Sequence, residues 1–186
     1  TSELKFNLNS FLLFDEKNKI DYSNMTSKTR DFQVAINRFF AQMNNAKDWL
    51  STDNFLANTK TGHIDVHHIF PKLNWGTKMS PEEKIKMNHP ANMAHIHYST
   101  NRNPILKKNP DIYFKDIIDL DRKEQLIKQQ IPVEDESLWI FKNYDAFIKK
   151  RSENIVKYAN ECLIKLEKSD WEEGIMDDDI DIIFLK

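Results

Sequence analysis

The sequence predicts a mainly α domain that carries near its centre a strand, a long connection, a second strand and a helix. Three observations point there. Apolar residues recur at spacings of three and four on both sides of the centre. Only three glycines, Gly62, Gly76 and Gly174, occur in 186 residues, fewer than a strand-rich protein with tight turns normally uses. All six histidines, at 63, 67, 68, 89, 95 and 97, crowd into this centre, where β-branched and aromatic residues favour strands. At 40% hydrophobic residues the chain can bury a core, so 1–186 is expected to be one domain. Its expected parts are an N-terminal helical part (25–62), the histidine-rich centre (63–108), C-terminal helices (109–168) and an acidic tail (169–186).

Taken in order, residues 1–24 alternate at Leu4, Phe6 and Leu8 as a strand would, then run apolar from Phe11 to Phe14, and their type stays open. From Ser27 to Leu50, the residues Phe32, Ala35, Ile36, Phe39, Phe40, Met43 and Leu50 form the apolar face of a core helix. Ser51 to Asn54 breaks it, and Asn58 to Gly62 has turn chemistry. Ile64 to Phe70 reads as a strand closed by Pro71, which cannot donate to a ladder. Within the connection from Lys72 to Pro90, Ser80-Pro81-Glu82-Glu83 supplies a capping serine, a first-turn proline and a glutamate three residues on, which predicts a short helix to Met87. Met93 to Tyr98 is a second short strand. Ser99 or Thr100 then caps a helix with Asn101 and Arg102 in its first turn. Further helices are expected over Pro110–Leu120, Asp121–Gln130 and Glu136–Glu167, the last with a core stripe of Phe141, Tyr144, Ile148, Ile155, Tyr158, Cys162 and Leu166.

Composition narrows the setting. A single Cys162 excludes an internal disulfide and any multi-cysteine zinc site. No apolar run approaches the roughly 20 residues that span a bilayer, and no secretory pattern opens the chain, so a cytoplasmic protein without a membrane partner is expected. The formal charge of -2 argues against a protein that grips nucleic acid with its whole surface. The distribution is uneven: Lys60 to Lys108 holds eight Lys or Arg against Asp65, Glu82 and Glu83, whereas Glu167 to Lys186 holds eight acids against two lysines. The chain starts Thr-Ser-Glu with no initiator methionine, and an upstream targeting domain is expected.

The chemistry concentrates at the centre. Neighbouring side chains on a strand point to opposite faces, so His67 and His68 suit two different tasks, one holding a metal and one handling a proton. Asn101 offers a hard amide oxygen of the kind magnesium or manganese accepts. Asp65 shares a strand face with His67 and is a candidate partner behind the ligands. His95 and His97 share a face of the second strand, as third ligands or as solvent-facing residues. His63 and His89 are expected at the surface.

The stretches V-H-H-I-F-P and N-M-A-H-I-H-Y-S-T-N-R resemble the HNH nucleases of the ββα-metal fold, with Asn92 and Asn101 nine residues apart as in many members. The flanks, H-H-I-F-P-K, N-R-N-P and a late F-I-K-K-R, look more like the C-terminal nuclease module of GmrSD-like modification-dependent restriction enzymes. The resemblance implies an embedded ββα-metal (HNH) motif in the helical domain and a DNA endonuclease that leaves 5'-phosphate and 3'-hydroxyl ends, as the nuclease part of a restriction or anti-phage defence enzyme. It gives His67 and Asn101 as ligands of one divalent metal, magnesium or manganese first and nickel or zinc as alternatives. His68 becomes the general base, and Asn92 the residue that ties the loop together and orients His68. Arg102 is a candidate phosphate clamp on double-stranded DNA, with Lys107 and Lys108 as further backbone contacts. Many members have an acid where this chain has His67. The rival expectation is a non-catalytic zinc- or DNA-binding module with a degenerate HNH fold.

Overall fold

The computed structural model describes residues 27–51, 56, 63–105 and 107–168. The expectations for residues 1–24, for the turn at 58–62 and for the acidic tail lie outside these residues. What is described is mainly helical around one two-stranded sheet. Helix α1 (Ser27–Met43) leads to strand β1 (Ile64–His68). A 3-10 turn (Lys72–Trp75), helix α2 (Pro81–Met87) and a second 3-10 turn (Pro90–Asn92) connect β1 to strand β2 (Met93–His97). Helix α3 follows without a break, as Tyr98–Thr100 running into a π-helical turn over Asn101–Ile105. Helices α4 (Pro110–Asp119), α5 (Lys123–Ile127) and α6 (Tyr144–Lys168) complete the order, with 3-10 turns at Glu136–Trp139 and Phe141–Asn143 before α6.

Helix α1 ends at Met43, not at Leu50. Asn45 adopts a left-handed φ of 50°. The Asn45 N–H donates to the Gln42 carbonyl at 2.9 Å and the Ala46 N–H to the Ala41 carbonyl at 2.9 Å, a Schellman closure with asparagine in the usual glycine place. Asp121 after α4 and Gln130 after α5 do the same, with φ of 57° and 58°. The α1 face that packs inward also differs from the apolar one expected. Gln33, Asn37, Phe40 and Ala41 are buried, whereas Phe32 and Phe39 are 67% and 49% exposed. The helix docks partly through polar contact, the Asn37 Nδ2 donating to the Pro90 carbonyl at 3.3 Å beside β2. Helix α2 forms as expected: Ser80 accepts from the Glu83 N–H and Glu83 accepts from the Ser80 N–H, a reciprocal capping box with Pro81 in the first turn. Helix α6 begins eight residues later than expected, at Tyr144, because residues 136–143 are spent on the two 3-10 turns.

The strands pair antiparallel, with Ile64 opposite His97 and His67 opposite Ala94. A lone two-stranded ribbon is marginal in water, and here β2 is buried along Met93 to Ile96. Its outer edge is covered by three side chains. Arg151 of α6 donates from Nη1 to the Met93 and Ala91 carbonyls, both at 2.8 Å. The Gln129 amide exchanges two bonds with the His95 backbone at 2.9 and 2.8 Å, as a neighbouring strand would. Asp48 accepts from the His97 N–H at 2.7 Å. Edge groups are thereby satisfied without a third strand. Around the ribbon pack Trp49, Trp139, Phe70, Tyr113, Phe114, Phe147, Ile69, Ile96 and Ile105, all fully buried.

Replacing Arg151 with Met keeps most of the apolar stem and leaves the carbonyls of Ala91, Met93 and Gln129 without their donors. The expected cost is about 3 kcal/mol or more, read as a lower urea midpoint at unchanged m-value. A second expectation concerns acid. Burial holds the His95 imidazole down to about 3, with the Arg38 and Arg151 charges adding to the effect, and His67 down to about 4. Below an unfolded value near 6.5, the unfolded chain binds protons that the folded chain refuses. The stability is fully present above that value and is lost as pH falls from about 6.5 towards 4, at about 1.4 kcal/mol per pH unit for each group. Urea unfolding from pH 7.5 to 5 should show this slope, and His95→Gln should reduce it.

Candidate metal and proton-transfer site

Strand β1 delivers the two central histidines in opposite directions. His67, 3% exposed, turns inward with Asp65 on the same face of the ribbon. His68 is half-buried and points the other way. The inward face meets the start of the π-helical turn, where the Asn101 Oδ1 lies 2.8 Å from the His67 Nδ1. Asn101 is itself oriented, its Nδ2 donating to the Asp65 carboxylate at 3.0 Å. Behind the ring, the His67 Nε2 is 3.3 Å from the Tyr113 hydroxyl, which donates to the Ile69 carbonyl at 2.9 Å. Trp49 closes the remaining side, edge to face with the imidazole at 5.8 Å.

This arrangement fits a divalent ion. Two neighbouring ligands of an octahedral ion with bonds of ~2.1 Å stand ~3.0 Å apart, close to the separation of Nδ1 and Oδ1. For Nδ1 to ligate, the ring hydrogen must sit on Nε2, where the Tyr113 oxygen accepts it while the Tyr113 hydrogen stays on the Ile69 carbonyl. Asp65 acts on Asn101 in the same way that Tyr113 acts on His67. Burial keeps His67 unprotonated at neutral pH, with Asn101 opposing and the His68 and Arg151 charges assisting that shift. Among the described residues, no group of three or more His, Cys, Asp or Glu side chains gathers as a metal site, so a centre here depends on the asparagine oxygen.

The outward face belongs to His68. Its Nε2 lies 3.1 Å from the Asn88 Oδ1, at the C-terminal cap of α2. Burial lowers its pKa, the bond to Asn88 opposes this, and the Lys72 and Arg30 charges reinforce it. Asn92 does tie the loop together. Fully buried, it accepts from the Phe70 N–H at 2.9 Å and donates to the Phe70 and Met87 carbonyls at 3.3 and 2.8 Å. It holds the backbone two residues beyond His68, and the side chain that contacts His68 is Asn88.

Several expected residues sit elsewhere. Arg102 donates to Asp65 from Nε at 3.3 Å and lies over the Tyr98 ring at 5.5 Å, so it is engaged beside the site. Lys108 pairs with Asp116 at 3.2 Å, and Lys107 is exposed in the turn before α4. His95 and His97 occupy the face opposite His67. The His95 backbone bonds Gln129, while the His97 Nδ1 lies 2.7 Å from the Ser99 Oγ and caps α3, the task expected of Ser99 or Thr100. His63 is exposed, but His89 is buried, not at the surface: its Nδ1 accepts from the Ala91 N–H at 3.1 Å to cap the turn before β2. Asn88, Tyr113 and Asp48 had no place in the sequence reading. Asn88 alone carried a local signal, being an asparagine directly after a capped helix.

The chain matches no family model, no curated protein and no solved structure. Asn92→Ala removes three bonds from a fully buried site and is expected to destabilise the fold by about 3 kcal/mol, measured by thermal and urea denaturation. Asn92→Asp, which keeps the acceptor for Phe70 but sets a buried carboxyl against the Phe70 and Met87 carbonyls, should destabilise at least as much.

Proposed function

We propose that this chain is a metal-dependent DNA endonuclease with an embedded ββα-metal (HNH) motif, His67 and Asn101 holding one divalent ion and His68 acting as general base. The observation that carries the reading is the 2.8 Å approach of the His67 Nδ1 to the Asn101 Oδ1, with each group held from behind by Tyr113 and Asp65. These residues are 34 apart in sequence, and nothing in helix or strand formation requires them to meet. Hard nitrogen and oxygen donors favour magnesium or manganese, with nickel or zinc as alternatives. Bound there, the ion would polarise a phosphoryl oxygen and stabilise charge on the leaving oxygen.

His68 follows His67 directly, but their side chains leave β1 on opposite faces, so a phosphodiester that meets both has to wrap around the end of the strand. An imidazole held neutral at pH 7 can take a proton from water as that water attacks phosphorus. Lys72 and Arg30 place positive charge near His68, Arg30 while paired with Asp31 at 2.6 Å, and are candidates for phosphate contact. Arg102 instead supports Asp65 and through it Asn101. The weak net charge is consistent with a partner domain that supplies most of the affinity for double-stranded DNA. A place in a restriction or anti-phage defence enzyme rests on the motif resemblance alone.

The same contact also supports a second reading, a non-catalytic DNA- or zinc-binding module, because a direct His67–Asn101 hydrogen bond satisfies both groups without an ion. Plasmid nicking with magnesium, manganese, nickel and zinc separates the two. The expected result is metal-dependent nicking, abolished by EDTA and reduced at least about a hundredfold by His68→Ala. Wild-type protein that is inactive with every metal, or a His68→Ala protein that cuts as well as wild type, would sink the nuclease reading; DNA retardation without cutting would favour the second.

A further inference from the structure

We infer that Asn88 is a positioning residue for His68, fixing its imidazole with the hydrogen on Nε2 and leaving Nδ1 as the bare acceptor that faces substrate water. The catalytic meaning of this inference rests on the nuclease reading, but the state of the ring does not. It follows from which atoms can donate. The Asn88 Nδ2 is 2.9 Å from the Lys84 carbonyl, which can only accept, so the amide NH2 must lie on that side. A flipped amide would set two acceptors against each other. The Oδ1 is thereby turned to His68, and since it too only accepts, the Nε2 at 3.1 Å must be the donor. A neutral imidazole has one ring hydrogen, so Nδ1 has none.

The frame that holds Asn88 is anchored at several points. Asn88 caps α2, its backbone N–H donating to the Lys84 carbonyl at 3.2 Å. The carbonyl of Met87, one residue earlier, accepts from the buried Asn92. The Lys86 carbonyl accepts from the Tyr144 hydroxyl, and the capping box holds the other end of the helix. The amide therefore reaches His68 from a rigid support. In the reaction, a water O–H bond breaks and its proton goes to Nδ1 as the water oxygen bonds phosphorus. The P–O3' bond then breaks with its electron pair on the 3' oxygen, which takes a proton from solvent. The positive ring formed meanwhile is stabilised by the Asn88 Oδ1 dipole.

The test is a long-range 1H–15N correlation spectrum of the full chain labelled at histidine, without metal at pH 7.5, with His68 assigned by the signals lost in His68→Gln. The wild type should show a protonated Nε2 and an unprotonated Nδ1. In Asn88→Ala the His68 signals should move towards a mixture of tautomers, while the buried His89 and His95 signals report that the fold is intact. A hydrogen on Nδ1 in the wild type, or an unchanged tautomer in folded Asn88→Ala, overturns the assignment. In the nicking assay Asn88→Ala should lower kcat about tenfold with KM for DNA within about twofold; an unchanged kcat overturns the positioning role. If the wild type is inactive with every metal, the nuclease reading fails, and the spectrum still decides the state of the ring.

Discussion

One buried amide holds the centre of this protein together. Asn92 bonds the backbone of Phe70 in both directions and the carbonyl of Met87. Its own carbonyl accepts from the Ile69 N–H at 2.8 Å. The exit of β1, the end of α2 and the entry to β2 are thereby fixed to one another, which closes the connection between the strands at its base. Both proton-bearing contacts of the histidine pair hang from these points. Tyr113 reaches His67 while anchored on Ile69, and Asn88 reaches His68 from the residue after Met87. Loss of the Asn92 side chain would leave three buried backbone groups without this partner.

Two buried charges extend the same logic to the outer edge of β2. Arg151, brought down by burial to about 9, still carries its proton at neutral pH and is solvated by the carbonyls of Ala91, Met93 and Gln129. Asp48, fully buried, accepts from the Leu50, Ser51 and His97 N–H groups and from the Thr100 hydroxyl. Each ion is compensated by oriented backbone dipoles. This solvation lets a short strand with one partner sit deep in a helical domain, where its unpaired edge would otherwise be costly. Deep burial of the ribbon in turn keeps His95 on β2 and His67 on β1 neutral. The stability of the fold and the protonation state of the inward histidine therefore have a common origin.

The candidate site follows from an uneven division of the ribbon. On one face His67 is buried against Asn101, with Asp65 partly exposed behind it; on the other, His68 is half-buried near the charges of Lys72 and Arg30. A donor pair held in a low-dielectric setting is preorganised, because the residues behind it fix the direction of each lone pair before anything binds. The more open histidine has access to solvent and keeps one fixed contact. Two adjacent residues thus acquire different chemistry from strand alternation alone, once each face has been given a different environment.

The sequence by itself determined whatever depends on neighbours a few residues apart. The helical character, the α2 capping box, both strands, the shared face of Asp65 and His67 and the opposed faces of His67 and His68 were all legible, since periodicity and turn chemistry act over short range. The left-handed asparagine that ends α1 was legible too, but the apolar spacing was read through it to Leu50. Only the tertiary structure decided which polar groups meet. Asn37, Asp48, Gln129 and Arg151 carried no signal in the sequence and support β2 or the turn before it, His89 is a buried cap, and Arg102 is engaged by Asp65 beside the site. Asn88 and Tyr113 gained their places beside His68 and His67 in the same way. Their partners lie 20 to 60 residues away, and the pairing is selected by the need to satisfy every buried donor and acceptor at once, a condition no local stretch of sequence contains.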